Sequence, residues 1–100
     1  MPYDETFTER TFEGRAFAKE IEGCTFDCCR LEETDLSKLL IVDTTFENCD
    51  LRMAELADAR LQGVRFVECR LTGVAFARCS DFAFEVSFRA CDLSFTSFTE

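Results

Sequence analysis

The sequence predicts an all-β fold, a square β-helix of about five coils, and three observations point to it. From Phe26 through Leu31, Leu36 and Ile41 to Phe76, a large apolar residue falls at every fifth position, eleven times without a miss. A helix repeats near 3.6 residues and a half-buried strand near 2, so a period of five requires a backbone that turns a corner with each repeat. The second residue before the large one is repeatedly small, as at Cys24, Cys29, Thr34, Thr44, Cys49, Ala54 and Ala59. Small beside large fills a narrow tube and leaves the other three positions of each repeat to solvent. Two register slips complete the pattern: Phe17 to Ile21 is a step of four, and Phe76 to Phe88 one of twelve instead of ten. Like residues stay aligned across both slips only if four repeats make one turn.

With four sides, one column reads Phe7, Phe26, Phe46, Phe66, Phe88 and the next Phe12, Leu31, Leu51, Leu71, Leu93. The third reads Phe17, Leu36, Leu56, Phe76, Phe98, and the fourth Ile21, Ile41, Leu61. Coils should stack about 4.8 Å apart, as strands in a sheet do. Residues 1–100 form a single domain, with a leader at 1–4, a capping coil at 5–22 and an irregular bulge at 81–85 on the fourth side. The first coil is assigned the capping role because Glu5, Arg10, Arg15 and Lys19 replace the small residues, and their charged heads bend over the open core. At the other end Cys91 and Thr96 are still small and Phe98 is still a core residue. An uncovered apolar end with unpaired backbone invites pairing, so Cys91, Phe95 and Phe98 are expected to form an interface. Either the chain forms a homodimer through that C-terminal end or it is part of a longer protein.

The net charge of −9 repels nucleic acid and anionic membranes and favours a protein partner with a basic surface. Residues 1–50 hold 13 acids and 5 bases against 7 and 6 in residues 51–100, so the field is lopsided. Seven cysteines, an odd number, without a signal-peptide pattern fit a reducing cytoplasm better than a disulfide scaffold. No apolar run approaches the roughly 20 residues that span a bilayer.

The first candidate site is an acidic ladder beside the Phe26–Phe46–Phe66 column. Asp27 and Glu47 directly follow the central residue, Glu68 lies one position further on, and Glu9 sits in the first coil. Such a row is either tolerated for solubility or retained for a basic partner, since like charges on neighbouring strands repel. Asp35, Glu55 and Asp58 form a weaker group on the third side. The cysteine column Cys29, Cys49, Cys69, Cys91 is inward and linear, so its thiols cannot converge on a zinc ion, and buried apolar packing explains it. Cys24 and Cys79 are read the same way, whereas Cys28 faces outward. The segment from Asp81 to Val86, where the pattern fails, is either an ordinary bulge or a functional irregularity. No histidine, phosphate loop or nucleophile with a base is present, and Glu32 and Glu33 lie in a solvated slot without a pocket, so no catalytic, cofactor or metal residues are assigned and no enzyme is expected.

The words Thr34-Asp-Leu-Ser-Lys, Cys49-Asp-Leu-Arg-Met, Ala54-Glu-Leu-Ala-Asp, Cys69-Arg-Leu-Thr-Gly and Cys91-Asp-Leu-Ser-Phe resemble the signature of pentapeptide repeat proteins. That resemblance implies a right-handed quadrilateral β-helix. The runs beginning at Phe46 and Cys69 look like the Qnr-type quinolone-resistance proteins. The likeness implies an acidic rod that imitates duplex DNA, occupies the DNA-binding saddle of gyrase or topoisomerase IV, counters quinolones and dimerises through C-terminal segments. An alternative is a structural or interaction scaffold with another protein partner.

Overall fold

Each five-residue word directs its small and large residues inward and turns the chain two positions after the large one. In the computed structural model of the protein, which describes residues 3–80 and 84–98, these turns build a coil with four sides. The strands are β1 (Thr6–Thr8), β2 (Glu20–Glu22), β3 (Thr25–Asp27), β4 (Leu40–Val42), β5 (Thr45–Glu47), β6 (Arg60–Gln62), β7 (Val64–Val67) and β8 (Val86–Arg89). On one side they make a five-stranded parallel sheet in the order β1-β3-β5-β7-β8, and on an adjoining side the parallel sheet β2-β4-β6. Phe7, Phe26, Phe46, Phe66 and Phe88 are register partners in the first sheet. Ile21, Ile41 and Leu61 are partners in the second. The other two sides pair through single bridges such as Arg30↔Asp50↔Arg70↔Asp92 and Asp35↔Glu55. There the corners close as hydrogen-bonded turns, with Thr34 N donating to Leu31 O at 3.1 Å and Ala54 N to Leu51 O at 3.0 Å. The described residues make four turns and begin a fifth.

The expected columns are the core. From Ile21 to Phe76 every central residue is buried, and from Cys24 to Val74 so is the residue two before it, small at every step except Leu39, which precedes Ile41. Successive Phe rings stack at 4.8 Å (Phe7–Phe26), 4.8 Å (Phe26–Phe46), 5.1 Å (Phe46–Phe66) and 5.5 Å (Phe66–Phe88), which is the coil spacing expressed in side chains. Aromatic pairs at such distances are worth about 0.5–1.5 kcal/mol beyond the area they bury. The cysteine column adds a polar contact that composition does not disclose. Cys29, Cys49, Cys69 and Cys91 each point their thiol at the carbonyl of the Phe one coil before, Phe7, Phe26, Phe46 and Phe66, at 3.1–3.3 Å. Thr34 does the same on the next side, its hydroxyl donating to Phe12 O at 3.0 Å. A small residue with a weak donor therefore suits this slot better than alanine alone.

The corners use left-handed backbone. Among the described residues, twelve non-glycine residues have φ between 47° and 61°, and Glu9, Cys28, Glu33, Lys38, Asp43, Asn48, Met53, Asp58 and Glu68 all stand two places after a central residue. Gly23, Gly63 and Gly73 hold the same position. A β-carbon there costs about 1–2 kcal/mol, which cross-coil hydrogen bonds offset.

Both ends depart from the simplest stack. Tyr3 and Asp4, expected in the leader, already continue the fourth side: Tyr3 bridges Glu22, and Asp4 N donates to Glu22 O at 2.9 Å. Residues 1 and 2 lie outside the described residues. Over the first coil the Arg10 guanidinium lies 5.6 Å from the Phe7 ring centre and 5.8 Å from that of Phe12, while Arg15 turns sideways to Ser37 O at 2.6 Å. At the other end, Phe76–Arg78 form a 3-10 turn. Of the irregular segment expected at 81–85, residues 81–83 lie outside the described residues. Its flanks rejoin the ladder, Ser80 N donating to Ala59 O and Glu85 N to Leu61 O, both at 2.8 Å.

Backbone geometry makes the corners testable. Lys38→Gly should stabilise the fold by about 0.5–1 kcal/mol, because relief of the left-handed strain exceeds glycine's entropic cost. Gly63→Ala should cost about 1–2 kcal/mol, since φ is +63° and the new β-carbon would lie 2.6 Å from Asp43 Oδ1. Urea unfolding of both variants measures the difference.

Candidate protein-binding surface

Outward positions inherit the stacking of the core, so a carboxylate in one word stands over the same slot of the next. Asp27 and Glu47 are direct partners on β3 and β5. Glu9 and Glu68 occupy the adjoining corner column, tied to the same side by Glu9 N to Asp27 O (2.9 Å) and Glu68 N to Arg89 O (2.8 Å). The row is short. Val67 follows Glu47 in register and Arg89 follows Val67, so a cation closes its far end. Arg30 and Arg70 border it across a shallow cleft shared with Cys28, Asn48, Asp50 and Glu68.

Side-chain partners divide the carboxylates into two kinds. Asp35 and Asp92 accept from the hydroxyl of the serine two residues on, each at 2.6 Å, and from its backbone N–H at 3.0 Å. These bonds hold both carboxyls below the usual range, with Arg15 assisting at Asp35 and Arg70 at Asp92. Burial alone would raise Asp50, but the Arg52 side chain and N–H outweigh it and bring it below the usual range. Asp50 pairs with Arg52 at 2.7 Å, and Arg52 also meets Glu32 at 3.2 Å. These acids secure their own turns. Glu9, Asp27, Glu47 and Glu68 form no ion pair among the described residues. On the third side Glu55 lies in register with Asp35, and Asp58 stands at the next corner, its N–H donating to Arg78 O at 2.8 Å.

Cys28 reports on the row from within. Its thiol points at Asp27 Oδ1 at 3.5 Å, and that bond, desolvation and the Asp27 and Glu9 charges raise its pKa. The thiols of Cys24, Cys29, Cys49 and Cys69 are buried, and desolvation pushes the half-buried Cys79 up to about 11. All seven cysteines are free. Among the described residues no group of three or more His, Cys, Asp or Glu is placed to hold a metal ion. Among them, too, no helix is long and apolar enough to cross a membrane.

The three residues expected at the far end do not share one surface. Cys91 is half-buried, and Phe98 is 49% exposed while stacking on Phe76 at 5.3 Å. Both point along the core. Phe95 instead stands on a corner at φ 58° and is 90% exposed. Met53, overlooked in the sequence, lies on that same corner and is 57% exposed; its place two positions after Leu51 was the available signal.

The sequence profile of the pentapeptide repeat region matches residues 19–98. The chain belongs to the pentapeptide repeat family. Among curated proteins none matches it significantly. Among solved structures it resembles full-length QnrB1, described as a plasmid-mediated fluoroquinolone resistance protein, at 18% identity and a TM-score of 0.65, covering 89% of this chain and 42% of QnrB1. A trypsin-treated R167E form of QnrB1 aligns at 21% identity and a TM-score of 0.50, covering 94% of this chain and 56% of that one. The pentapeptide repeat chain thus spans about half the length of these structures, and the likeness is one of fold.

The Asp27 charge should slow Cys28 alkylation at neutral pH, because a raised pKa leaves less thiolate. Asp27→Asn removes both acceptor charge and repulsion, lowers that pKa, and should speed iodoacetamide labelling by up to about fivefold. Mass spectrometry of the labelled peptide gives the rate.

Proposed function

We propose that this pentapeptide repeat chain is a non-catalytic acidic β-helical binding protein whose partner is the basic DNA-binding surface of DNA gyrase or topoisomerase IV. The reading is supported by the resemblance to Qnr-type proteins and by the description of QnrB1 as a fluoroquinolone resistance protein. The observation that carries it is the in-register Asp27–Glu47 pair, without ion partners among the described residues, flanked by Glu9 and Glu68. Opposed like charges cost about 0.2–1 kcal/mol, a cost that an approaching cationic surface turns into attraction. Charge and shape do the work: the acidic first half steers encounter, and no bond is made or broken. Its free thiols suit a cytoplasmic location.

A supercoiling assay with gyrase and a quinolone tests this reading. The protein should inhibit gyrase or restore supercoiling, and the triple change Asp27→Asn, Glu47→Gln, Glu68→Gln should weaken the effect about tenfold at low salt while keeping the fold. No effect on supercoiling, together with no complex at low salt, would remove the topoisomerase from the account.

The second part of the proposal is a homodimer through the last coil, where Phe88, Cys91, Leu93 and Phe98 are only partly covered. Sedimentation should give twice the chain mass, and Phe98→Asp should shift it to the monomer. A monomeric parent at high concentration contradicts the dimer.

A further inference from the structure

The corner between the second and third sides carries an apolar strip with a carboxylate end. Glu33, Met53, Gly73 and Phe95 stack there in successive coils, joined by Glu33 N to Arg52 O (2.9 Å), Met53 N to Thr72 O (3.0 Å) and Gly73 N to Ser94 O (3.1 Å). The Met53 thioether lies across Gly73, where a β-carbon would meet its sulfur. Beyond it stands Phe95, 90% exposed in a backbone conformation that bulky residues rarely adopt. Phe98 points along the core, so a further coil would cover it. Phe95 stands on the outward corner, where Met53, with a coil on either side of it, is still 57% exposed. An exposed aromatic at a strained position costs stability twice, which makes it a candidate for function.

The charge around the strip selects its occupant. Glu33 and Glu55 lie beside Met53's end and form no ion pair among the described residues, the one cation beside Met53 there, Arg52, is already paired with Asp50 and Glu32, and Thr72, Ala75, Ser94 and Ser97 surround the other end without charge. We propose that this corner binds an extended cationic peptide segment, seating one aromatic side chain at the level of Gly73, against the Met53 thioether that covers it and the Phe95 ring, and lysine or arginine side chains against Glu33 and Glu55. Gly73 is two coils from Glu33, about 9.6 Å at the spacing of stacked strands, and an extended chain covers that in about three residues. The segment therefore carries its cation about three positions from its aromatic residue. Methionine adapts to such a guest without a preformed pocket. This corner lies one side of the square away from the Asp27–Glu47 row and is independent of it.

Fluorescence anisotropy with a labelled Lys-Lys-Ser-Ser-Phe-Ser peptide tests the assignment, against controls with glycine for the phenylalanine and glutamates for the lysines. The parent should bind the phenylalanine peptide about tenfold more tightly than the glycine control and should not bind the glutamate control. Phe95→Asn should abolish the tenfold preference while raising Tm by about 4 °C, since asparagine tolerates the left-handed corner. Met53→Ala should reduce the preference. Equal binding of the phenylalanine and glycine peptides, or a preference that survives in well-folded Phe95→Asn, overturns the proposal.

Discussion

Parallel hydrogen bonding between coils holds each residue over its counterpart one turn earlier, about 4.8 Å away. Everything else in this protein depends on that constraint. Inside, it stacks Phe on Phe for five coils with ring planes within 18° of parallel at each step. It also brings the thiols of Cys29, Cys49, Cys69 and Cys91 to the carbonyl of the preceding coil's Phe. A slip of one repeat would set Phe over Leu, move the thiols to other carbonyls and break every column together.

Outside, the same spacing makes charge a property of columns. On the second side the position before each Leu reads Arg30, Asp50, Arg70, Asp92 in bridged succession, so opposite charges alternate up the coil and favour the native register. Asp27 over Glu47 does the reverse and works against it. Two neighbouring columns of one solenoid thus treat charge in opposite ways, and only the first has a folding rationale of its own.

The period, the columns and the four-sided turn are legible in the sequence because inward positions are selected for size, and size survives in the letters. The position of Arg10 stands out for the same reason: it breaks a column of small residues, and its guanidinium lies over the Phe7 and Phe12 rings. The left-handed corners are not legible, because Glu, Asp, Asn, Cys, Lys and Met all occupy them under the force of cross-coil bonds, and only a few carry the glycine that would announce the conformation. Nor does the sequence separate the acids. Asp35 and Asp92 are bound by Ser37 and Ser94 two residues on, a contact set by the shape of the turn, while Asp27 has only the weak thiol donor of Cys28 at 3.5 Å.

Phe95 shows what this separation means for function. A solenoid corner is a poor place for a large side chain, since the backbone is strained and little apolar surface is covered in return. Lys38 and Asp58 at equivalent corners keep a charged head in water, and asparagine at Asn48 tolerates the conformation. Phenylalanine has neither advantage. Its cost is offset only when something covers the ring, and the solenoid's own spacing places Met53 and Gly73 in line to help do so. As proposed, the acidic row and this corner would combine two physical modes of recognition on one rod: long-range charge that governs encounter, and a short apolar step that governs which segment stays.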